Sequence, residues 1–218
     1  MVVDNFKQLE KWLVFKPNDF YFLQIIKRKK ENPDLERSSV IITSYYITSI
    51  ERYRALENDI KTICEALNAR AYININPRNS YSITCESISA MSQRLKSLQT
   101  DSCYNVWDHC CGILPKDKKH GAWIVDVDDK SLVDDVKTII NRCRSALKSL
   151  ETEGLYDNCL DIIPTVNGAH IIAYRFDVSE FIHLIDEYMN LHNLPKDTIE
   201  LKQDNPTLLY YNSNSLKK

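Results

Sequence analysis

The residues best suited to chemistry are the carboxylates of Trp123-Ile124-Val125-Asp126-Val127-Asp128-Asp129. The stretch opens as an apolar, alternating strand and ends in acids where an amphipathic helix begins. Side chains two apart on a strand share a face, so Asp126 and Asp128 point the same way. Two adjacent anions repel unless a cation or a shared proton relieves them. An all-oxygen pair suits a hard divalent ion, Mg2+ or Mn2+. Asp128 or Asp129 also suits the N-cap of the following helix, and read singly that is the commoner role of an aspartate there.

A second set lies in Arg70-Ala71-Tyr72-Ile73-Asn74-Ile75-Asn76-Pro77-Arg78, read as one strand. Its odd positions are apolar, which leaves Arg70, Tyr72, Asn74, Asn76 and Arg78 in a row on the other face. Guanidinium forks, amides and an aromatic in sequence suit phosphate and base contact. The alternative is a polar face covered by a neighbouring segment. A third element is His170. Asn167-Gly168 marks a tight turn between strands 160–165 and 170–174. A strand–helix–strand crossover puts the first of these in the sheet of strand 122–128. The hairpin then lays His170, on one face with Ile172 and Tyr174, close to the acid pair. A phosphate held by a metal and by His170 fits such a group; taken alone, His170 is more commonly a hydrogen-bonded structural residue.

The elements that must carry these residues follow from periodicity. A short helix is expected over 4–14 with Phe6, Leu9 and Leu13 on one side, and a buried strand over 20–26. The charged stretch 27–37, with its KRKK run, reads as a solvated turn, with a nucleic-acid contact as the sharper alternative. A strand over 40–47 leads through Thr48 or Ser49 as N-cap into a helix with Ile50, Tyr53, Leu56, Ile60, Ile63 and Leu67 on one face. A helix from about Thr84 has Cys85, Ile88, Met91, Leu95 and Leu98 as its expected buried stripe. A short helix is expected around Tyr104, Val106 and Trp107 and a loop at 114–121. A long helix then buries Val133, Val136, Ile140, Cys143, Leu147 and Leu150, up to Gly154. A helix over 178–191 and strands at 198–202 and 207–211, around a turn at Asp204-Asn205-Pro206, complete the chain. No fixed-period repeat or linker interrupts it. One mixed α/β (α+β) unit is expected, in two lobes at about 1–100 and about 120–212.

The chain has 218 residues, 44% of them apolar, and a formal net charge of -2. No global basic field draws it to nucleic acid, although a local basic groove is compatible with that sum. No run is long and apolar enough to span a bilayer, and the N-terminus lacks the pattern of a secretory signal. Seven cysteines without a C-x-x-C pair therefore read as reduced thiols of a cytoplasmic protein. His109-Cys110-Cys111 with His120 lacks the spacing of a zinc site, so buried thiols are the expectation.

The combination WIVDVDD, PTVNGAHIIAY and KQDNPTLLYYN resembles the archaeo-eukaryotic primase (primase-polymerase) superfamily, especially its small phage- and plasmid-encoded members. The likeness covers roughly residues 120–212. It implies an RRM-like strand–helix–strand–hairpin catalytic half, with Asp126 and Asp128 as catalytic metal ligands and Asp204 as the third acid. It further implies that His170 binds a nucleotide's phosphates while Gly168 allows close backbone approach, beside Arg70, Asn74 and Arg78. The implied activity is metal-dependent nucleotidyl transfer with Mg2+ or Mn2+, on nucleoside triphosphates and nucleic acid, in phage replication within the host cytoplasm. Two other activities suit the same residues. One is a catalytically inactive nucleic-acid or nucleotide binding protein, such as an anti-defence factor with protein partners. The other is a metal-dependent phosphodiesterase or nuclease. The sequence departs from the family pattern in having a single Gly before the His and a third acid in a turn.

Overall fold

The computed structural model describes residues 1–113, 121–145, 160–174, 176–203 and 206–213. The segment that carries the acids forms a sheet of its own. Strand β6 (Ala122–Val127) leads through a 3-10 turn into helix α5 (Val133–Ser145). Strands β7 (Leu160–Pro164) and β8 (Ala169–Tyr174) form a hairpin, and helix α6 (Val178–Leu191) connects to β9 (Ile199–Lys202). The sheet order is β7-β8-β6-β9, with every neighbouring pair antiparallel. Each helix thus crosses over a strand that separates its own two, which is the split β-α-β-β-α-β arrangement of RRM-like and ferredoxin-like folds. Both helices lie on one face. Val125, Val127, Ile171 and Ala173 are buried there against Val136, Ile140, Phe181 and Ile185.

The other sheet is built from the first third of the chain and its last strand. It contains β1 (Val2–Asp4), β2 (Asp19–Arg28), β3 (Ser39–Ile47), β4 (Arg70–Ile73) and β10 (Thr207–Asn212) in the order β1-β10-β4-β2-β3. The short strand β5 (Arg78–Asn79) pairs with the start of β2. Leu208, Leu209, Tyr210 and Tyr211 are all buried. A strand apolar on both faces needs an interior place, which β10 finds between β1 and β4. The expected neighbours 198–202 and 207–211 therefore part company into different sheets.

Helix α1 (Phe6–Glu10) is shorter than the span 4–14, because Val2–Asp4 pair as a strand. Helix α2 (Ile50–Leu67) starts at Ser49, whose side chain accepts from the Arg52 N–H, and packs Tyr53, Ile60 and Cys64 inward, while Leu67 stays exposed. Tyr21, Leu23 and Ile25 of β2 join these residues in one core with Ile124, Ile163 and Ile172 of the second sheet. That shared core holds the two sheets together. Phe20 and Phe22, on the opposite face of β2, are covered by α3 (Ser80–Lys96) and α4 (Val106–Ile113) through Ile83, Val106, Cys110 and Cys111. Cys64, Cys110, Cys111 and Cys143 are buried free thiols.

Two expectations are corrected. The stripe Cys85, Ile88, Met91, Leu95 and Leu98 is exposed, and α3 instead buries Ile83 and Ser87 on the side that meets α4. The strand at 70–78 is broken into β4 and β5, and its polar row is drawn inward rather than displayed: Arg70, Asn74, Asn76 and Arg78 are all buried. Leu147, Leu150, Gly154, the loop at 114–120 and Asp204 lie outside the described residues. No helix among the described residues is long and apolar enough to cross a membrane.

Candidate functional site at the cleft between the sheets

On β6 the residues alternate in role as well as direction. Val125 and Val127 face the helices, while Ile124, Asp126 and Asp128 face the first sheet. Ile124 is part of the core; beyond it the same face turns polar and forms one wall of a cleft of about 480 Å³. Asp126, Asp128, His170 and Lys202 come from the second sheet, together with the turn Thr165-Val166-Asn167. Arg28, Lys30, Arg70 and Tyr72 come from the first.

Asp126 stands opposite His170 of β8 and opposite Glu200 of β9 in the antiparallel register. Its Oδ1 is 3.4 Å from His170 Nε2. The other ring nitrogen, Nδ1, is 2.9 Å from Thr207 Oγ1, at the fully buried start of β10. The imidazole is thus held between a carboxylate and a hydroxyl that come from different sheets. Burial pushes the Asp126 carboxyl up, but His170, Lys202 and Arg28 together outweigh it and leave the group below its ordinary range. Asp128 moves the opposite way. Burial and the charges of Asp126, Asp197 and Glu200 raise it, against a smaller opposing effect of Lys30. Two carboxylates of one face are therefore electrostatically unequal, with Asp126 the firmer anion. Asp129 takes the helix-capping role, its Oδ1 accepting from the Ser131 N–H at 2.8 Å.

Gly168 is fixed by contact with the protein itself. A Cβ there would lie 1.8 Å from the Val127 carbonyl oxygen and 2.8 Å from the Asp128 carbonyl carbon. The close backbone approach at this glycine is that of the β7–β8 turn to the end of β6. The turn is closed by the Thr165 N–H donating to the Gly168 carbonyl at 3.0 Å.

The cationic wall has its own supports. Arg70 forms a buried ion pair with Glu31 and stacks on Tyr211, with its guanidinium carbon 4.6 Å from the ring centroid. Asn32 Nδ2 donates to the Asn68 carbonyl and Asn68 Nδ2 to that of Glu31, which pins the turn carrying Lys30. Arg28 donates to the Tyr72 hydroxyl at 3.4 Å. A β-bulge where Ile25 and Ile26 meet β3 twists this end of the hairpin, and such bulges re-aim side chains. Lys202 pairs with Glu200.

Of the residues singled out from the sequence, Asp126, Asp128, His170 and Arg70 line the cleft. Gly168 lies just behind it. Asn74 and Arg78 do not line it: Asn74 is buried where its N–H bonds the Phe22 carbonyl, and Arg78 Nε donates to the Cys111 carbonyl at 2.7 Å. Asn76 ties the two sheets by exchanging two 2.8 Å hydrogen bonds with the backbone of Ala122. Arg28, Lys30, Lys202, Glu200 and Thr207 were not singled out. The KRKK run was the one local sign of this wall, and strand register alone brings Glu200 beside Asp126.

Among the described residues no three His, Cys, Asp or Glu side chains form a ready-made metal cluster. The donor set still fits Mg2+ or Mn2+, because Mg2+ is commonly held by one or two carboxylates and completed by water and phosphate oxygens. Arg28 and Lys30 on the wall opposite the two acids favour an anion that enters with the metal, while Arg70 and Lys202 are paired with Glu31 and Glu200. In comparisons with known proteins, no family model, curated protein or solved structure matches the chain.

Proposed function

We propose that the cleft binds a nucleoside triphosphate together with Mg2+ or Mn2+ and supports primase-polymerase-like nucleotidyl transfer to nucleic acid. The observation that carries this reading is the facing of the Asp126–Asp128 pair by Arg28 and Lys30 across one cavity, with Arg70 behind them and Lys202 beside the acids. Carboxylates alone suit a cation and basic residues alone suit an anion; the two together suit a metal-bound polyphosphate. Asp126 and Asp128 would hold the metal, which when bound stabilises charge on the attacking and leaving oxygens of phosphoryl transfer. His170, held at Nδ1 by Thr207, would offer a phosphate oxygen the Nε2–H that faces Asp126 in the free protein. Arg28 and Lys30 would neutralise the remaining phosphate charge, and Tyr72 offers an aromatic face beside them.

A second reading is a non-catalytic nucleotide or nucleic-acid binder. It is favoured by the partnering already present at Asp126, whose oxygen faces His170, and by the absence, among the described residues, of a third acid lining the cleft.

Thermal melting with a nucleoside triphosphate, with and without Mn2+, separates the two. A ligand at a hundredfold excess over its Kd adds about 2.7 kcal/mol to stability. Metal-dependent stabilisation that disappears in Asp126→Asn/Asp128→Asn supports the catalytic reading and calls for primer-extension assays. Equal stabilisation with a chelator, retained in the double variant, supports the binder. No stabilisation under any condition rejects the nucleotide site.

A further inference from the structure

Helix α3 carries an apolar seam that the other described residues leave uncovered. Its inner side meets α4 through Ile83, Ser87 and Ala90. On the outer side Tyr81 is 73% exposed, Ile88 66%, Met91 41% and Leu95 51%, and Leu98 just beyond the helix is 86% exposed. The spacing is that of a heptad. Tyr81, Ile88 and Leu95 repeat every seven residues, with Thr84, Met91 and Leu98 midway between them, which is an a/d seam sustained over the 17 residues of the helix.

We propose that this seam is the contact between two copies of the chain, with their α3 helices antiparallel across a two-fold axis. The occupant follows from self-complementarity. Centring the axis between Ser89 and Ala90 sets Ile88 against Met91 of the second copy, Thr84 against its Leu95, and Tyr81 against its Leu98. Every a position then meets a d position in a single register, as an isologous interface requires. The flanks raise no electrostatic objection. Cys85 and Ser92 border one side and are small and uncharged. Arg94 borders the other, where the remaining flank positions are Ser80 and the inward-turned Ser87, so no like charges meet.

The area agrees with such a contact. The exposed fractions of these side chains amount to roughly 600 Å² per copy, against about 800 Å² per partner in a standard interface. Leu98 adds a second sign. It sits at φ 57°, in the left-handed region, at the end of a Schellman-type cap in which the Gln99 N–H bonds the Arg94 carbonyl and the Leu98 N–H that of Leu95. Glycine is the usual residue there. A leucine held in that conformation and turned to solvent contributes nothing visible to the single chain, whereas in the paired helices it covers Tyr81 of the second copy.

Sedimentation equilibrium on the full chain tests this, at concentrations up to roughly 50 μM. Wild type is expected to give twice the 25.4 kDa chain mass. Ile88→Asp and Leu95→Asp are expected to give the single mass while keeping the wild-type circular dichroism. The register is tested with Ser92→Cys and a short bis-maleimide. The antiparallel pairing brings the introduced thiol near Cys85 of the second copy and yields covalent dimer above the wild-type level. A single mass for wild type at every concentration overturns the proposal. So does a dimer that persists in both aspartate variants, and so does a fall in melting temperature in the variants with no change of mass, which would mean that the chain's own residues cover the seam. Covalent dimer formed through Cys85 alone overturns the antiparallel register.

Discussion

Asp126 and His170 are directly opposite each other on adjacent antiparallel strands, with 3.4 Å between Oδ1 and Nε2, whereas Asp128, two residues along, has no such partner among the described residues and lies among other acids. The pair of carboxylates is therefore not a symmetric one. The folded protein favours the anion at Asp126 and disfavours it at Asp128.

Substitution of the two should act with opposite sign. A carboxyl lowered by folding stabilises the protein above its unfolded pKa, and that contribution is lost as pH falls through the folded value. Asp126→Asn should therefore lower the melting temperature at pH 7, and the loss should shrink as pH falls below the ordinary carboxylate range. A carboxyl raised by folding destabilises the protein once it ionises. Asp128→Asn should raise the melting temperature at pH 7, and the gain should vanish as pH falls to the ordinary carboxylate range. Because Asp128 is largely exposed, its effect is on the order of a few tenths of a kcal/mol. Metal-free melts of both variants at pH 7 and pH 3 check the signs. Two variants that shift in the same direction at pH 7 would contradict the asymmetry.

The turn behind the acids makes a sharper demand. Gly168→Ala places a Cβ 1.8 Å from the Val127 carbonyl oxygen, and backbone on both sides must move to admit it. A loss of about 2–3 kcal/mol is expected, of the size seen for strained or overpacked sites. Gly112, in α4, has nothing within 4 Å of the corresponding position. Gly112→Ala should leave the fold intact and stabilise it by about 0.5–1 kcal/mol through helix propensity. Urea unfolding of the two variants side by side measures the contrast; similar effects from both would mean that the tight approach at Gly168 is absent.

Much of the second sheet was legible locally. The alternation in residues 122–128, the Asn167-Gly168 turn and the intervening helix put β6, β7 and β8 in one sheet, although they do not place β9 beside β6. Strand β10 was not legible as part of the other sheet, because a strand apolar on both faces says that it is interior and not which sheet holds it. Helix α3 shows the limit of periodicity in another way. Its seam is real, but a repeat identifies an apolar face without saying what covers it, and α4 packs on the narrower side at Ile83 and Ser87. The row from Arg70 to Arg78 reads as one alternating strand, but the chain breaks between β4 and β5, and its polar side chains are as well served by protein acceptors as by a ligand. Arg78 finds the Cys111 carbonyl and Asn76 finds Ala122. Lys30 and Lys202 reach the cleft through a pinned turn and a strand register, neither of which leaves a mark in composition.

Lys30 and Arg70 differ in what they can report about the ligand. Lys30 has no ion pair among the described residues, and its turn is held by Asn32 and Asn68 rather than by its own side chain. Lys30→Ala should leave the melting temperature of the free protein unchanged within a degree or so and weaken triphosphate binding about tenfold, the loss of one charge-assisted contact. Arg70 differs because its guanidinium is buried against Glu31 and Tyr211. Arg70→Ala strands the Glu31 carboxylate in the interior, and breaking a buried pair from one side costs about 3–5 kcal/mol. Glu31→Ala should be destabilising for the same reason, while the double variant should recover part of the loss. Measuring stability and triphosphate affinity for all four proteins separates the roles. If Lys30→Ala unfolds the chain, or if Arg70→Ala is as stable as wild type, then the division between a ligand-facing lysine and a structural arginine is wrong.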